Sequence, residues 1–84
     1  MNDTERDGFR PLSALRVGDA AVIDRLDGDD DAMLHLMERG LTGGERVRLI
    51  RGAPLGGPLE VELMGYRLAI RRAEADRILV RSEP

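Results

Sequence analysis

Apolar and charged residues alternate on both sides of Met64-Gly65, and this pattern constrains the fold more than any other feature of the chain. Leucine and valine alternate with glutamate over Leu59–Leu63, and large apolar residues take every second position over Tyr66–Ile70. A period of two residues predicts strands with one buried face, and a short connection that contains glycine predicts a hairpin. The expected register places Val61 opposite Leu68 on the buried face, and a turn one residue later would keep the same faces.

The segment Ala32–Gly40 carries the signals of one well-defined helix. Met33, Leu36 and Met37 have the i, i+3, i+4 spacing of a single apolar face. The aspartates that precede the segment predict a capped N-terminus near the positive end of the helix dipole, and this role accounts for them without a bound cation. Gly40 stands where a residue of left-handed conformation closes a helix, with Leu41 packing back on Leu36.

Shorter segments of strand and turn surround the helix and the hairpin. Strands are predicted at Ala20–Leu26, Glu45–Arg51 and Ile78–Val80, and single helical turns at Pro11–Leu15 and Arg72–Arg77. Residues 1–10 are polar and aperiodic, which predicts a flexible N-terminal tail before one domain over residues 11–84. About five short strands and one inserted helix predict a mostly β fold, a small and partly open β-barrel.

The inward-facing positions of these strands give the expected core. Together with the apolar face of the helix, the core comprises Val22, Ile23, Val47, Leu49, Val61, Leu63, Leu68, Ile70, Ile78 and Val80. A domain of 84 residues removes only roughly 60–65% of its unfolded surface from water, so its stability is expected to be modest.

Composition excludes several classes of function. The chain has no cysteine and no lysine, so disulfides, thiolate metal sites and lysine-containing phosphate loops are excluded. The net charge of −3, with Phe9 and Tyr66 as the sole aromatic residues, argues against nucleic-acid binding. No apolar run approaches the roughly 18 residues of a membrane span, and the N-terminal residues lack the apolar stretch of a secretory signal, so we expect a cytoplasmic protein.

Four segments of the sequence form a series. They are Leu15-x-x-Gly18-Asp19, Leu36-Met37-Glu38-Arg39-Gly40-Leu41-x-x-Gly44-Glu45, Ala53-Pro54-Leu55-Gly56-Gly57-Pro58 and Leu68-Ala69-Ile70-Arg71-x-x-Glu74-Ala75-x-x-Ile78-Leu79-Val80. In this order and spacing, over about Pro11–Arg81, they resemble the FeoA family. The resemblance implies an SH3-like barrel with inserted helices. It also implies a role in bacterial iron homeostasis, as a small cytosolic accessory of FeoB, the membrane-embedded, GTPase-linked ferrous iron transporter.

The residues agree with a role in protein–protein interaction rather than catalysis. The single histidine, His35, lies in mid-helix with no evident serine partner, and Ser13 and Ser82 lie near the chain ends. Ferrous iron needs several converging nitrogen and oxygen ligands, and one imidazole cannot supply them within a monomer. We therefore expect no catalytic residue, no cofactor and no metal site in the monomer. Coordination shared across a homo-oligomer is the alternative for His35.

Two other functions are compatible with this fold. One is the SH3-like regulatory domain that is appended to DtxR-like metal-dependent repressors, and the other is a small iron-responsive sensor. No DNA-binding helix-turn-helix precedes the domain in this sequence, and the potential ligands are few. We therefore expect the transport accessory.

Partner contact is expected at residues that have no evident place in the core. These candidates are Leu34, His35, Glu38 and Leu55. If the helix and the Pro54–Pro58 loop flank one cleft, the four residues present a mixed apolar and polar patch to FeoB or to a second copy of the chain. For Leu55, packing of the loop against the barrel rim is the alternative.

Overall fold

Six antiparallel strands form one sheet in the computed structural model, which describes residues 8–52 and 54–83. The strands are β1 (Phe9–Pro11), β2 (Ala20–Leu26), β3 (Arg46–Arg51), β4 (Leu59–Leu63), β5 (Tyr66–Ile70) and β6 (Ile78–Ser82). Hydrogen bonds join them in the order β1-β6-β2-β3-β4-β5, which leaves β1 and β5 at the edges of an open sheet. The expected mostly β, partly open architecture is confirmed, with six strands rather than about five.

The additional strand is β1, which begins at Phe9 within the segment expected to be a tail. It pairs with β6, where Phe9 lies opposite Arg81 and Pro11 lies opposite Leu79. A strand of three residues is too short to show a periodic pattern, so sequence periodicity does not detect it. The rest of the expected tail, residues 1–7, lies outside the described residues.

The β4–β5 hairpin has the expected register. Val61 lies opposite Leu68, and the two turn residues Met64 and Gly65 have φ angles of +49° and +83°. Two consecutive positive φ angles are typical of a type I′ turn, whose twist matches that of the strands it joins. The local sequence pattern therefore determines both the pairing and the connection.

Two short helices and two 3₁₀ turns connect the strands. They are α1 (Asp31–Glu38), α2 (Arg72–Ala75) and the turns Leu12–Ala14 and Pro54–Gly56. After α1, Gly40 has a φ of +105° and its N–H donates to the Met37 carbonyl at 3.0 Å. The Leu41 N–H donates to the Leu36 carbonyl at 3.1 Å. These two bonds form a Schellman motif, so the expected helix closure at Gly40 is confirmed.

The core is apolar throughout the described residues. Its buried members are Leu12, Leu15, Ala21, Ile23, Leu26, Met33, Leu36, Leu41, Val47, Leu49, Leu59, Val61, Leu63, Leu68, Ile70, Ala75, Ile78 and Val80. The expectation was wrong for Val22, which is half-buried and lies opposite Arg46 and Arg81 on the outer face. Because neighbouring side chains of a strand point to opposite faces, Val22 and Ile23 cannot both face the core.

A bulge explains why β2 contributes a further core residue near its end. The pairing of β2 with β6 shifts register between Ile23 and Arg25. The shift brings Leu26, rather than Arg25, onto the face that Ile23 occupies. In α1, Met33 and Leu36 are buried as expected, and Met37 packs against the core while partly exposed.

Candidate functional site

The four candidate residues lie on two separate elements and are all exposed. Leu34, His35 and Glu38 belong to α1. The opposite side of this helix buries Met33 and Leu36 in the core. Leu34 is 44% exposed, and Glu38 follows it by four residues, which places both on one helix face. The fourth candidate, Leu55, lies in the second 3₁₀ turn.

Leu55 combines full solvent exposure with an unfavourable backbone conformation. Its relative exposure is 107% and its φ is +58°, in the left-handed region that glycine adopts far more readily. Such a conformation typically costs about 1–3 kcal/mol and recurs at functional sites. The alternative for Leu55, in which the loop packs this side chain against the barrel rim, is wrong, because the side chain is fully exposed. No burial of the side chain therefore offsets that cost.

Val17 is an exposed apolar residue beside the start of the same loop, and the sequence analysis did not select it. It is 64% exposed, and its Cγ2 atom lies 3.9 Å from the position that a Cβ atom would take at Gly52. Its sequence signal is weak, because Val17 falls in a glycine-aspartate turn where a single apolar residue is unremarkable.

A groove of about 350 Å³ lies between α1, β5 and α2, and we name it the helix–strand groove. Its lining residues are Ala32, His35, Leu36, Arg39, Ala69, Arg71 and Glu74. Among the four candidates, only His35 lines it. Arg39 and Arg71 were not among the expected site residues, because arginines spaced 32 positions apart give no local signal that they share one groove.

Charges within the helix–strand groove are unequal. Arg39 and Arg71 supply two guanidinium groups, and neither forms an ion pair with any residue in the described ranges. Glu74 supplies one carboxylate, which accepts a hydrogen bond from the Arg71 backbone N–H at 3.1 Å. The groove is therefore rich in hydrogen-bond donors and suits an anionic group.

A second groove, of about 270 Å³, lies on the outer face of the sheet between β3 and the β4–β5 turn. Here Arg48 lies directly opposite Glu62, so residues of opposite charge share its floor. Cross-strand pairs of this kind typically stabilise an exposed sheet face. We therefore assign this second groove a structural role, the pairing of Arg48 with Glu62.

Metal ligands do not converge in the described part of the chain. Within residues 8–52 and 54–83, no group of three or more His, Cys, Asp or Glu side chains is placed to hold a metal ion.

No described helix has both the length and the hydropathy needed to cross a bilayer.

The aspartates before α1 act differently from the expectation. Asp30 occupies the N-cap position, but its carboxylate forms no capping bond with the helix. It pairs instead with Arg77, through Nη1 to Oδ2 at 3.2 Å and through a second bond between Nη2 and Oδ1. Arg77 Nε also donates to the Asp27 carbonyl at 3.0 Å. Arg77 therefore joins the loop before α1 to the turn before β6, and capping by an aspartate side chain was a wrong expectation.

The Asp30–Arg77 contact makes stability depend on pH in a defined direction. The hydrogen bond from the Arg77 guanidinium holds the pKa of the Asp30 carboxyl below its ordinary value. Because the folded-state pKa is the lower one, the contact stabilises the fold above about pH 4 and is lost as pH falls through the folded-state pKa. We expect Asp30→Asn to lower the Tm at pH 7, with a difference from wild type that narrows below about pH 4.

Thermal melts from pH 7 to pH 2.5 would measure this difference. Asp29→Asn is the matched control, because it removes a carboxylate of the same loop that is in no described ion pair, and its Tm at pH 7 should stay close to wild type. A Tm difference for Asp30→Asn that is equal at all pH values would contradict the assignment.

Comparison with known proteins places the chain in a family. The FeoA domain model matches residues 10–82. An Fe(2+) transport protein A/Fe(2+) transporter FeoB fusion protein of Porphyromonas gingivalis is 35% identical over 69 residues. The match covers 82% of this chain but 8% of the fusion protein, so the chain corresponds to a small part of that relative.

Solved structures agree with the family match and with the expected SH3-like fold. The NMR structure of the FeoA protein from Chlorobium tepidum is 36% identical, with a TM-score of 0.81 over 88% of this chain and 70% of that one. The crystal structure of Stenotrophomonas maltophilia FeoA complexed with zinc, an SH3 domain protein by its description, is also 36% identical, with a TM-score of 0.73 over 83% and 87% of the two chains.

A manganese-dependent transcriptional repressor has the same fold at lower identity. It is 22% identical, with a TM-score of 0.81 over 89% of this chain and 42% of its own, which shows shared architecture alone. The family model, by contrast, spans nearly all of the described residues. The chain belongs to the FeoA family.

Proposed function

We propose that this protein is a non-enzymatic accessory of ferrous iron uptake that acts by binding a FeoB-type transporter in the cytoplasm. The observation that supports this most directly is the fusion of a related domain to FeoB in one polypeptide of Porphyromonas gingivalis. A covalent link holds two domains at a high effective concentration, which favours contact between them. The distribution of exposed residues supports an interaction role rather than catalysis.

The chemistry of the described residues supports the non-enzymatic part of the proposal. His35 is exposed on α1, and its neighbours in the helix–strand groove are Arg39, Arg71 and Glu74 rather than a hydroxyl nucleophile. A serine nucleophile is commonly activated by an imidazole base, and the Ser13 hydroxyl donates to the Asp76 carboxylate rather than to His35. The exposed side chains are instead suited to bind a partner through ion pairs and apolar contacts.

Leu34 on α1 and Leu55 in the second 3₁₀ turn are the apolar anchors of the proposed transporter contact, and His35 and Glu38 lie on α1 near Leu34. A few side chains that are fully buried at the centre of a protein interface supply most of its affinity, whereas charges at the rim supply little. The strained, fully exposed Leu55 fits this role, because burial against a partner would recover the contacts that the monomer does not provide.

The test is recovery of the transporter from membranes of iron-starved cells with tagged protein. We expect Leu34→Asp and Leu55→Asp each to weaken recovery at least about tenfold, which corresponds to about 1.4 kcal/mol of binding free energy. Met64→Asp is the matched control, because it places the same charge at another exposed apolar residue outside the candidate set. Its recovery should stay within about threefold of wild type.

The outcomes are distinct. Equal recovery for wild type and both leucine variants, with normal circular dichroism, would reject the proposed face. A variant that unfolds would place its leucine in the core. The principal alternative is a regulatory domain of the repressor type, and capture of a DNA-binding repressor with no transporter would support it instead.

A further inference from the structure

The outer edge of β5 has backbone groups without a partner. β5 ends the sheet and pairs with β4 alone. In a hairpin with a two-residue turn, the pair next to the turn, here Leu63 and Tyr66, is hydrogen-bonded, and bonded pairs then alternate along the ladder. The N–H and C=O groups of Arg67 and Ala69 therefore point away from β4. Outside the β4–β5 ladder, neither residue forms a backbone hydrogen bond with another described residue.

The helix–strand groove adjoins this edge at Ala69. Ala69 is exposed and lines the groove together with His35 of α1, Arg39 directly after α1 and Arg71 directly after β5. The small alanine side chain leaves the backbone edge accessible. An unpaired strand edge and a donor-rich wall thus occur at the same place, which is the combination that extended peptide segments recognise.

The side chains of the groove favour carboxylates on that segment. Arg39 and Arg71 form no ion pair within the described ranges, whereas Glu74 is already bonded to the Arg71 backbone N–H. The groove therefore holds two guanidinium groups against one carboxylate, an excess of positive charge on a protein whose net charge is −3. Arginine binds carboxylates through paired hydrogen bonds, which adds geometric selectivity to charge attraction.

We propose that an extended acidic segment of a partner protein adds to β5 as an antiparallel or parallel strand, with its carboxylates on Arg39 and Arg71. The backbone of Arg67 and Ala69 supplies the strand hydrogen bonds, and the apolar floor of Ala32 and Leu36 contacts the segment between its charged residues. This proposal stands apart from the transporter contact through Leu34 and Leu55, and peptide binding does not depend on which protein carries the segment.

Two other occupants fit the same place less well. In a second copy of the chain, antiparallel β5 pairing centred on Ala69 would place Arg67 opposite Arg71, and like charges directly opposite one another are destabilising. A single phosphate ion would fill little of a groove of about 350 Å³ and would leave the strand edge unpaired. An acidic segment uses both the edge and the arginines.

The experiment is an NMR titration of the intact chain with a synthetic, end-blocked peptide of alternating threonine and glutamate. A peptide with glutamine for glutamate is the control. We expect saturable binding of the glutamate peptide, chemical-shift changes at the Arg67 and Ala69 amides, and slower hydrogen exchange at both. Arg39→Glu and Arg71→Glu should each weaken binding at least tenfold, whereas Arg72→Glu, an exposed arginine of α2 outside the groove, should change it less than threefold.

Ala69→Pro tests the strand pairing itself, because it removes an N–H that points away from β4 and proline is tolerated on edge strands. We expect Ala69→Pro to abolish peptide binding. If this variant unfolds, the arginine variants and the hydrogen-exchange data decide whether the peptide adds to β5. Equal binding of the glutamine peptide, unchanged exchange at Arg67 and Ala69, or equal losses for Arg72→Glu would each overturn the proposal. So would phosphate that binds as tightly as the peptide, or protection of those amides by dimerisation of the chain alone.

Discussion

Leu12→Ala is expected to lower the free energy of unfolding by about 2–5 kcal/mol, the range for truncation of a fully buried leucine. Leu12 has a relative exposure of 0% and lies in the 3₁₀ turn directly after β1. Truncation removes its contacts and leaves a cavity that close-packed neighbours fill incompletely. Because domains of this size have total stabilities of about 5–15 kcal/mol, the variant should lose a large part of its stability. Urea unfolding followed by circular dichroism measures the difference.

Leu55→Ala is the matched control for this prediction, because it removes the same atoms from a fully exposed position. Its free energy of unfolding should change by less than about 0.5 kcal/mol. If Leu12→Ala lowered the free energy of unfolding as little as Leu55→Ala, Leu12 would not be part of the core. The assignment of the segment after β1 to the folded domain would then be wrong.

Gly40→Val is expected to lower the free energy of unfolding by about 1–3 kcal/mol through backbone strain. Gly40 closes α1 with a φ of +105°, a conformation that a β-branched residue adopts with difficulty. A Cβ atom at this position would also clash with the Met64 Cε atom. Since Met64 is exposed and its terminal methyl can move, most of the cost should come from the backbone.

Thr42→Val serves as the control for Gly40→Val, since it introduces the same side chain two residues away at an exposed position without a positive φ. The change there should stay within about 0.5 kcal/mol. A thermal midpoint of Gly40→Val equal to that of wild type would show that the Schellman motif is not formed in solution.

The two interaction surfaces proposed above differ in chemistry and in location. Leu34 and Leu55 offer apolar anchors, whereas Arg39 and Arg71 offer charge beside a strand edge. His35 lies next to Leu34 in α1 and also lines the helix–strand groove, so it is the residue that both surfaces approach. A partner on either surface therefore comes near His35, and the separate variants distinguish the contributions of the two surfaces.

Features with a short sequence range were predictable from the chain alone. The sequence predicts which faces of the β4–β5 hairpin are buried, whether the turn is Met64-Gly65 or lies one residue later. The structure has the Met64-Gly65 turn, which pairs Val61 with Leu68. The closure of α1 at Gly40 follows in the same way, since both of its hydrogen bonds lie within six consecutive residues. In these segments the side-chain pattern and the backbone preference act on the same few residues and agree.

Only the tertiary structure decided the features that join distant parts of the chain. β1 exists because β6 pairs with it across about 70 residues, and Arg77 takes the Asp30 carboxylate away from the helix cap that the sequence predicts. The helix–strand groove likewise forms because the fold brings Arg39 beside Ala69 and Arg71. An aspartate cap is a local preference, and the carboxylate can instead bind a distant guanidinium only once folding brings the two groups together. Sequence periodicity reports which face of an element is buried, but not which distant element covers it or lies at its edge.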